Sequence, residues 1–211
     1  DFWQPLTNCG SLKSFLTHLL FVEQPFHRDV ALDPDALSGL TDWNSRPRII
    51  IDESDAEPDS MRRALALGYH GTSHKNCKGV FKSIINACTL QWQRRNDVTS
   101  ELMMSGEDLA NVGPVALLQD LAVAATLGVE SVERNGHHYF AGLSAFPQSV
   151  QQQMLAAHGD LYHASAAGWP TLTIKGGTLN LDSVNRAPLG VGFDIDADLF
   201  STIDEWQASN S

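Results

Sequence analysis

Three short strand-like runs end on residues able to do chemistry together. Leu19-Leu20-Phe21-Val22 runs into Glu23, Ile49-Ile50-Ile51 into Asp52, and Gly71-Thr72-Ser73-His74 into Lys75. A buried strand ending on a charge is costly unless that end faces solvent, a metal or a ligand. On parallel neighbours the three ends would share one rim, where parallel α/β folds keep their chemistry. Adjacent carboxylates repel, and a divalent cation holds both ionised. Mg²⁺ suits such oxygen ligands, with water and substrate completing its shell. Each carboxylate alone would equally serve as a strand cap or a lysine partner. Glu53 follows Asp52 directly and so points to the other side.

Lys75 is the candidate general base, because burial beside a cation favours its neutral amine. The plainer alternative is a salt-bridge partner. Lys78 and Lys82 lack a strand-end position and read as facing solvent or a substrate's negative group. Glu107-Asp108 follows the apolar run Leu102-Met103-Met104 and is placed to orient substrate or hydrogen-bond the lysine. His137 and His138 are candidate substrate-binding or acid residues on a fifth run, His137 to Phe140, unless one packs and the other is solvated. No Gly-x-Ser-x-Gly elbow, His-Glu-x-x-His or phosphate loop is present.

The elements that must position these residues follow a rhythm. Intervals of 29, 23 and 29 residues separate Glu23, Asp52, Lys75 and Met104. That spacing suits strand–helix units in a parallel sheet. Helices are expected at 11–18, 34–40, 58–67, 80–93, 114–127 and 147–157, the fourth from apolar positions at 80, 81, 84, 85, 88 and 92. Strands should end near Glu23, Asp52, Lys75, Ser105 and Tyr139. Two alternating runs around Lys175-Gly176-Gly177 predict a hairpin over Thr171–Leu181. Spacing alone leaves a doubly wound sheet and part of a barrel both open, although no glycine-rich phosphate fingerprint follows any strand.

The 211 residues carry a formal charge of −11, which argues against nucleic-acid or anionic-membrane partners. Three cysteines, Cys9, Cys77 and Cys88, have no metal spacing and imply reduced thiols in a cytoplasmic protein. Cys77 and Cys88 are expected to be buried. No apolar run approaches a membrane span.

The strings FVEQPFHRD, IIIDES, GTSHKNCKGVFKSIINA and SGEDLANVGPVALLQDLA resemble, in order, the enolase superfamily, in its mandelate racemase and muconate lactonising branches. The tail GDLYHASAAGWPTLTIKGGTLNL is similar to the C-terminal end of some members. The resemblance implies an α/β fold, the C-terminal part (about strands four to eight) of a (β/α)-barrel over residues 1–165. A C-terminal hairpin and tail would then occupy 166–211. It implies Mg²⁺ held by Glu23 and Asp52, Lys75 as acid/base, and Glu107 near the carboxylate that follows the next strand. The implied reaction abstracts the proton α to a carboxylate of a small molecule through an enediolate, as in a dehydratase, racemase or epimerase. The first metal-ligand aspartate, the capping domain and the first barrel strands would lie upstream of Asp1. On that expectation the chain needs a missing N-terminal segment of the same protein and does not turn over alone. The resemblance leaves homo-oligomerisation open. The competing expectation is a non-catalytic fragment acting as a structural or interaction domain.

Overall fold

A computed structural model describes residues 3–40, 42–43, 46–107, 111–133 and 140–209. The chain divides into two compact units, Asp1–Ser105 and Gly106–Ser211.

The first unit is built on parallel strands. β1 (Val22–Glu23) pairs with β2 (Ile49–Ile51) in the register Val22↔Ile49, and β2 pairs with β3 (Gly71–His74) in the register Ile50↔Gly71. The strand after β3 is β4 (Met103–Glu107), which begins in this unit and ends in the next. All three isoleucines of β2 are buried, so this strand is covered on both faces, as an uninterrupted apolar run requires. Ile49 and Ile51 face a cluster containing Leu37, Leu40, Ala64 and Tyr69. Alternation turns Ile50, and Asp52 two residues on, to the opposite face. Tyr69 fixes the cluster by donating its hydroxyl to the Ala31 carbonyl at 2.7 Å, and burial pushes its pKa up to about 12.

Two short helices, α1 (Trp3–Thr7) and α2 (Lys13–Thr17), precede β1. α3 (Ser60–Ala66) and α4 (Val80–Asn96) follow β2 and β3. Met103 N–H donates to the His70 carbonyl at 2.7 Å. There Gly71, at φ +151°, approaches so closely that a Cβ would lie 1.7 Å from the Met103 carbonyl oxygen. Only glycine tolerates that approach.

In the second unit the end of β4 pairs in parallel with β5 (Val132–Glu133), Glu107 opposite Glu133. α5 (Ala116–Leu127) and α6 (Gln148–Ala157) pack Leu117, Leu118, Leu121 and Met154 against Leu161, Tyr162 and Leu172. β6 (Tyr162–Ala164) and β7 (Pro170–Leu172) form an antiparallel pair. α7 (Asp182–Arg186) and α8 (Ile203–Ser209) complete it.

The strand order and strand–helix alternation are those expected, and several details differ. β1 is only two residues long, because Leu19 to Phe21 do not pair. Residues 34–40 form turns rather than a helix, with Asp33 accepting the Asp35 N–H at 2.9 Å. That bond is of the kind that caps a helix, yet the segment closes on a three-residue turn, Leu40 N–H to the Leu37 carbonyl at 2.9 Å, with Gly39, a poor helix former, inside it. The fifth strand lies at Val132–Glu133, and His137 to Tyr139 fall outside the described residues. The expected Thr171–Leu181 hairpin reduces to a Lys175↔Thr178 bridge closed by Gly176 and Gly177, both at positive φ. β7 pairs backwards with β6 instead. Cys77 and Cys88 are exposed rather than buried. Among the described residues no helix is long and apolar enough to cross a membrane.

Candidate metal and acid–base site

The site forms where β1, β2 and β3 of the first unit end. Two tight turns, one after each of the last two strands, set its charges. After β2, Asp55 N–H donates to the Asp52 carbonyl at 3.0 Å, which places two aspartates one turn apart. After β3, a 3₁₀ turn over Asn76–Lys78 is closed by Lys78 N–H to the Lys75 carbonyl at 3.0 Å. Lys75 is the extended residue before that turn and Lys78 the last within it, so the turn folds Lys78 back beside Lys75.

Both lysines converge on Asp52. Lys75 Nζ donates to Oδ2 at 2.7 Å and Lys78 Nζ to Oδ1 at 2.5 Å. Lys78 also donates to the Asp52 carbonyl at 2.8 Å and the Ser73 carbonyl at 3.0 Å. The carboxylate is only 4% exposed and the two lysine side chains 11% and 14%. Burial by itself raises the Asp52 pKa. The hydrogen bonds and charges of Lys75 and Lys78 outweigh it and hold the group below the ordinary aspartate value.

A second pair lies beside the first. Asp55 Oδ2 accepts from Thr72 Oγ1 at 2.9 Å and from Asn86 Nδ2 at 3.4 Å. Lys82 Nζ bonds the Asp55 carbonyl and stands 3.3 Å from Oδ1, an ion pair without hydrogen-bond alignment. His74, on the α4 side of β3, contacts Ser83 Oγ through Nδ1 at 2.7 Å and Asn76 Oδ1 through Nε2 at 3.1 Å. Burial keeps its pKa low, although the Asn76 bond works the other way.

Glu23 ends β1 half-buried, with one carboxylate oxygen within 4.8 Å of an Asp52 oxygen. One Mg²⁺ with ligands at about 2.1 Å spans at most about 4.2 Å between two of them. Two hard oxygen donors this close are within reach of one such ion, once it displaces an ammonium group from Asp52. Glu53 is exposed and takes no part.

The structure thus brings Glu23, Asp52, Lys75 and Lys78 together. Lys78 and Lys82, expected to face solvent or substrate, are instead mostly enclosed partners of Asp52 and Asp55. Glu107 closes β4 and is described with the second unit. His137 and His138 lie outside the described residues.

Sequence reasoning passed over Gln24. Its backbone sits at φ +41°, a conformation rare outside glycine. Its side chain accepts the N–H groups of Asp52 at 2.9 Å and Ser54 at 3.2 Å. It also donates to the Phe26 carbonyl at 2.7 Å and Ser54 Oγ at 2.9 Å. These bonds pin the end of β1 to the turn carrying Asp52. The signal was there in Glu-Gln-Pro, a polar residue held between a strand end and a proline.

No family model matches the chain, and neither a curated protein nor a solved structure matches it.

Proposed function

We propose that this protein is a Mg²⁺-dependent enzyme that abstracts the proton α to a carboxylate, as an enolase-superfamily dehydratase, racemase or epimerase would. The observation that carries the reading is Asp52, buried between Lys75 and Lys78 with Glu23 beside it on the neighbouring strand end.

Glu23 and Asp52 would hold the ion. A bound Mg²⁺ supplies positive charge to the substrate's carboxylate as negative charge builds there. Lys75 then acts as the base. As a neutral amine it takes the α-hydrogen as a proton, and the C–H electron pair moves onto the carboxylate. Lys78 keeps Asp52 ionised and aimed, and its bonds to two carbonyls anchor the turn that presents Lys75. Gln24 fixes the Asp52 backbone. Glu107, at the end of β4, would orient the substrate.

A second reading has its own support. Both Asp52 oxygens already accept from ammonium groups, so the cluster satisfies itself as a structural ion-pair network, as a non-catalytic domain would have.

Proton NMR in D₂O separates the two. With Mg²⁺ and a panel of small 2-hydroxy and 2-amino carboxylates, the enzymatic reading predicts loss of an α-hydrogen signal for at least one compound. Lys75→Ala abolishes that loss. An unchanged α-hydrogen rate in Lys75→Ala, or no exchange with any compound in the natural protein, would favour the structural network.

A further inference from the structure

α4 is inverted relative to an ordinary surface helix. Its inward positions are Ser83, Asn86 and Leu90, two of them polar, Ser83 hydrogen-bonded to His74 at the end of β3 and Asn86 to Asp55 in the turn after β2. Its outward face is apolar. Phe81 is 82% exposed, Ile85 61% and Trp92 66%, with Ile84 39% exposed alongside and Cys88 exposed between them. An amphipathic helix normally turns such a stripe inward.

The stripe also has a symmetry. Positions 81, 85, 88 and 92 are spaced four, three and four, which reads the same in both directions. It is the alternating spacing of a coiled-coil seam. Reversed onto itself, it sets Phe81 opposite Trp92 and Ile85 opposite Cys88, at both ends. That is the self-complementarity an isologous two-fold contact requires, each residue i meeting j while j meets i.

Charge favours the same arrangement. α4 contains no acidic residue, and its one lysine, Lys82, is turned inward to Asp55. Arg94 and Arg95 lie beyond the stripe at the C-terminal end. Parallel pairing would bring the arginines of both copies together, whereas antiparallel pairing separates them and opposes the helix dipoles. The exposed side chains amount to on the order of 500 Å² of apolar surface per copy. Two copies would bury on the order of 1,000 Å², about the least that a specific interface needs.

We infer that α4 pairs with α4 of a second copy of this chain, antiparallel about a two-fold axis, through Phe81, Ile85, Cys88 and Trp92. The contact is independent of the enzymatic reading. An interface of that size belongs with weak, concentration-dependent associations.

Sedimentation velocity of the 211-residue chain, from sub-micromolar to hundreds of micromolar, should show the mass rise from one chain to two. Ile85→Glu should weaken association at least about 100-fold, since it buries two unpaired carboxylates per dimer. Ile85→Glu combined with Cys88→Lys should restore it, because position 85 then faces an opposite charge at position 88. Alkylation gives a readout without mutation: Cys88 should become protected as concentration rises while Cys77 reacts alike throughout. A wild type that stays a single chain, including one that instead captures a different protein, overturns the inference. So does association unaffected by Ile85→Glu, a double variant that fails to associate, or Cys88 reactivity independent of concentration.

Discussion

Lys75 Nζ lies 2.7 Å from Asp52 Oδ2, although 23 residues separate them in the chain. The bond joins the ends of two adjacent parallel strands on the face opposite the Leu37–Tyr69 cluster. Lys78 completes the grip from the other oxygen. The two lysines nonetheless differ in what they hold, and so should their substitutions.

Lys78→Ala strips one Asp52 oxygen and two backbone carbonyls of their shared donor, so it should cost about 2–4 kcal/mol of stability. Lys75→Ala leaves Asp52 with Lys78 and should cost less, about 1–2 kcal/mol. Urea denaturation of both variants checks the order. Equal losses would mean that the additional Lys78 bonds to Ser73 and the Asp52 backbone contribute nothing.

The depressed pKa of Asp52 ties stability to acid. A carboxylate whose folded pKa lies below its unfolded value stabilises the fold above that unfolded value, about 3.9, and loses the contribution as pH falls through the folded pKa. The urea midpoint should therefore fall below about pH 4 in the wild type. In Asp52→Asn the midpoint should start lower at neutral pH and fall less steeply over the same range. Parallel curves would show that Asp52 titrates alike in both states.

Gln24→Ala removes the acceptor for two backbone N–H groups and should destabilise by about 2–4 kcal/mol. A merely structural role would stop there. Because Gln24 aims Asp52, the variant should also bind Mg²⁺ about tenfold more weakly under conditions where it is fully folded. Calorimetry on the folded variant checks this, and unchanged affinity would confine Gln24 to stability.

Much of the first unit could be read from its residues. The β-branched run Ile49 to Ile51 read as a strand, and the helix expected over 80–93 is α4, which continues to Asn96. Strand ends at Glu23 and Asp52 were visible because charges interrupt apolar runs, and the polar run before Lys75 was placed by its spacing from them. Lys78 and Lys82 were misjudged because strand parity says nothing about the turn that follows. A 3₁₀ turn and then a helix carry residues three and seven beyond Lys75 back over the sheet end. The 34–40 segment carries a helix-start signal at Asp33, but it closes as a three-residue turn on the Leu37 carbonyl, with Gly39 inside it. The Lys175–Thr178 turn was legible from its glycines, but the strand that pairs with Thr171 was not. Pairing depends on the core that Leu161, Tyr162 and Leu172 share, a long-range fact.

In the second unit His158 is fully buried and joins two segments. Its Nε2 accepts the Gly192 N–H at 3.0 Å, so Nδ1 carries the proton and donates to Ser183 Oγ at 2.8 Å. Burial lowers its pKa, partly offset by Asp160. The unfolded chain therefore takes up a proton first, and this contribution, complete above about pH 6.5, fades as pH falls through the folded pKa. Protonated Nε2 would meet the Gly192 N–H donor to donor. Limited proteolysis should cut the 188–200 segment faster at about pH 5 than at about pH 7.5, and His158→Gln should reduce the difference. Equal rates at both pH values in the wild type would show that His158 does not hold the segment.

Isothermal titration calorimetry of Mg²⁺ into the protein bears most directly on the site. Glu23 and Asp52 are proposed to share one ion, displacing an ammonium from Asp52 as it binds. The wild type should show saturable binding to a single site, tightening as pH rises because protons compete for the same carboxylates. Asp52→Asn and Glu23→Gln, each verified as folded, should lose it, whereas Glu53→Gln should bind as the wild type does. Absence of saturable binding in the wild type, or binding that persists unchanged in both Asp52→Asn and Glu23→Gln, would contradict the account and leave the cluster a structural ion-pair network.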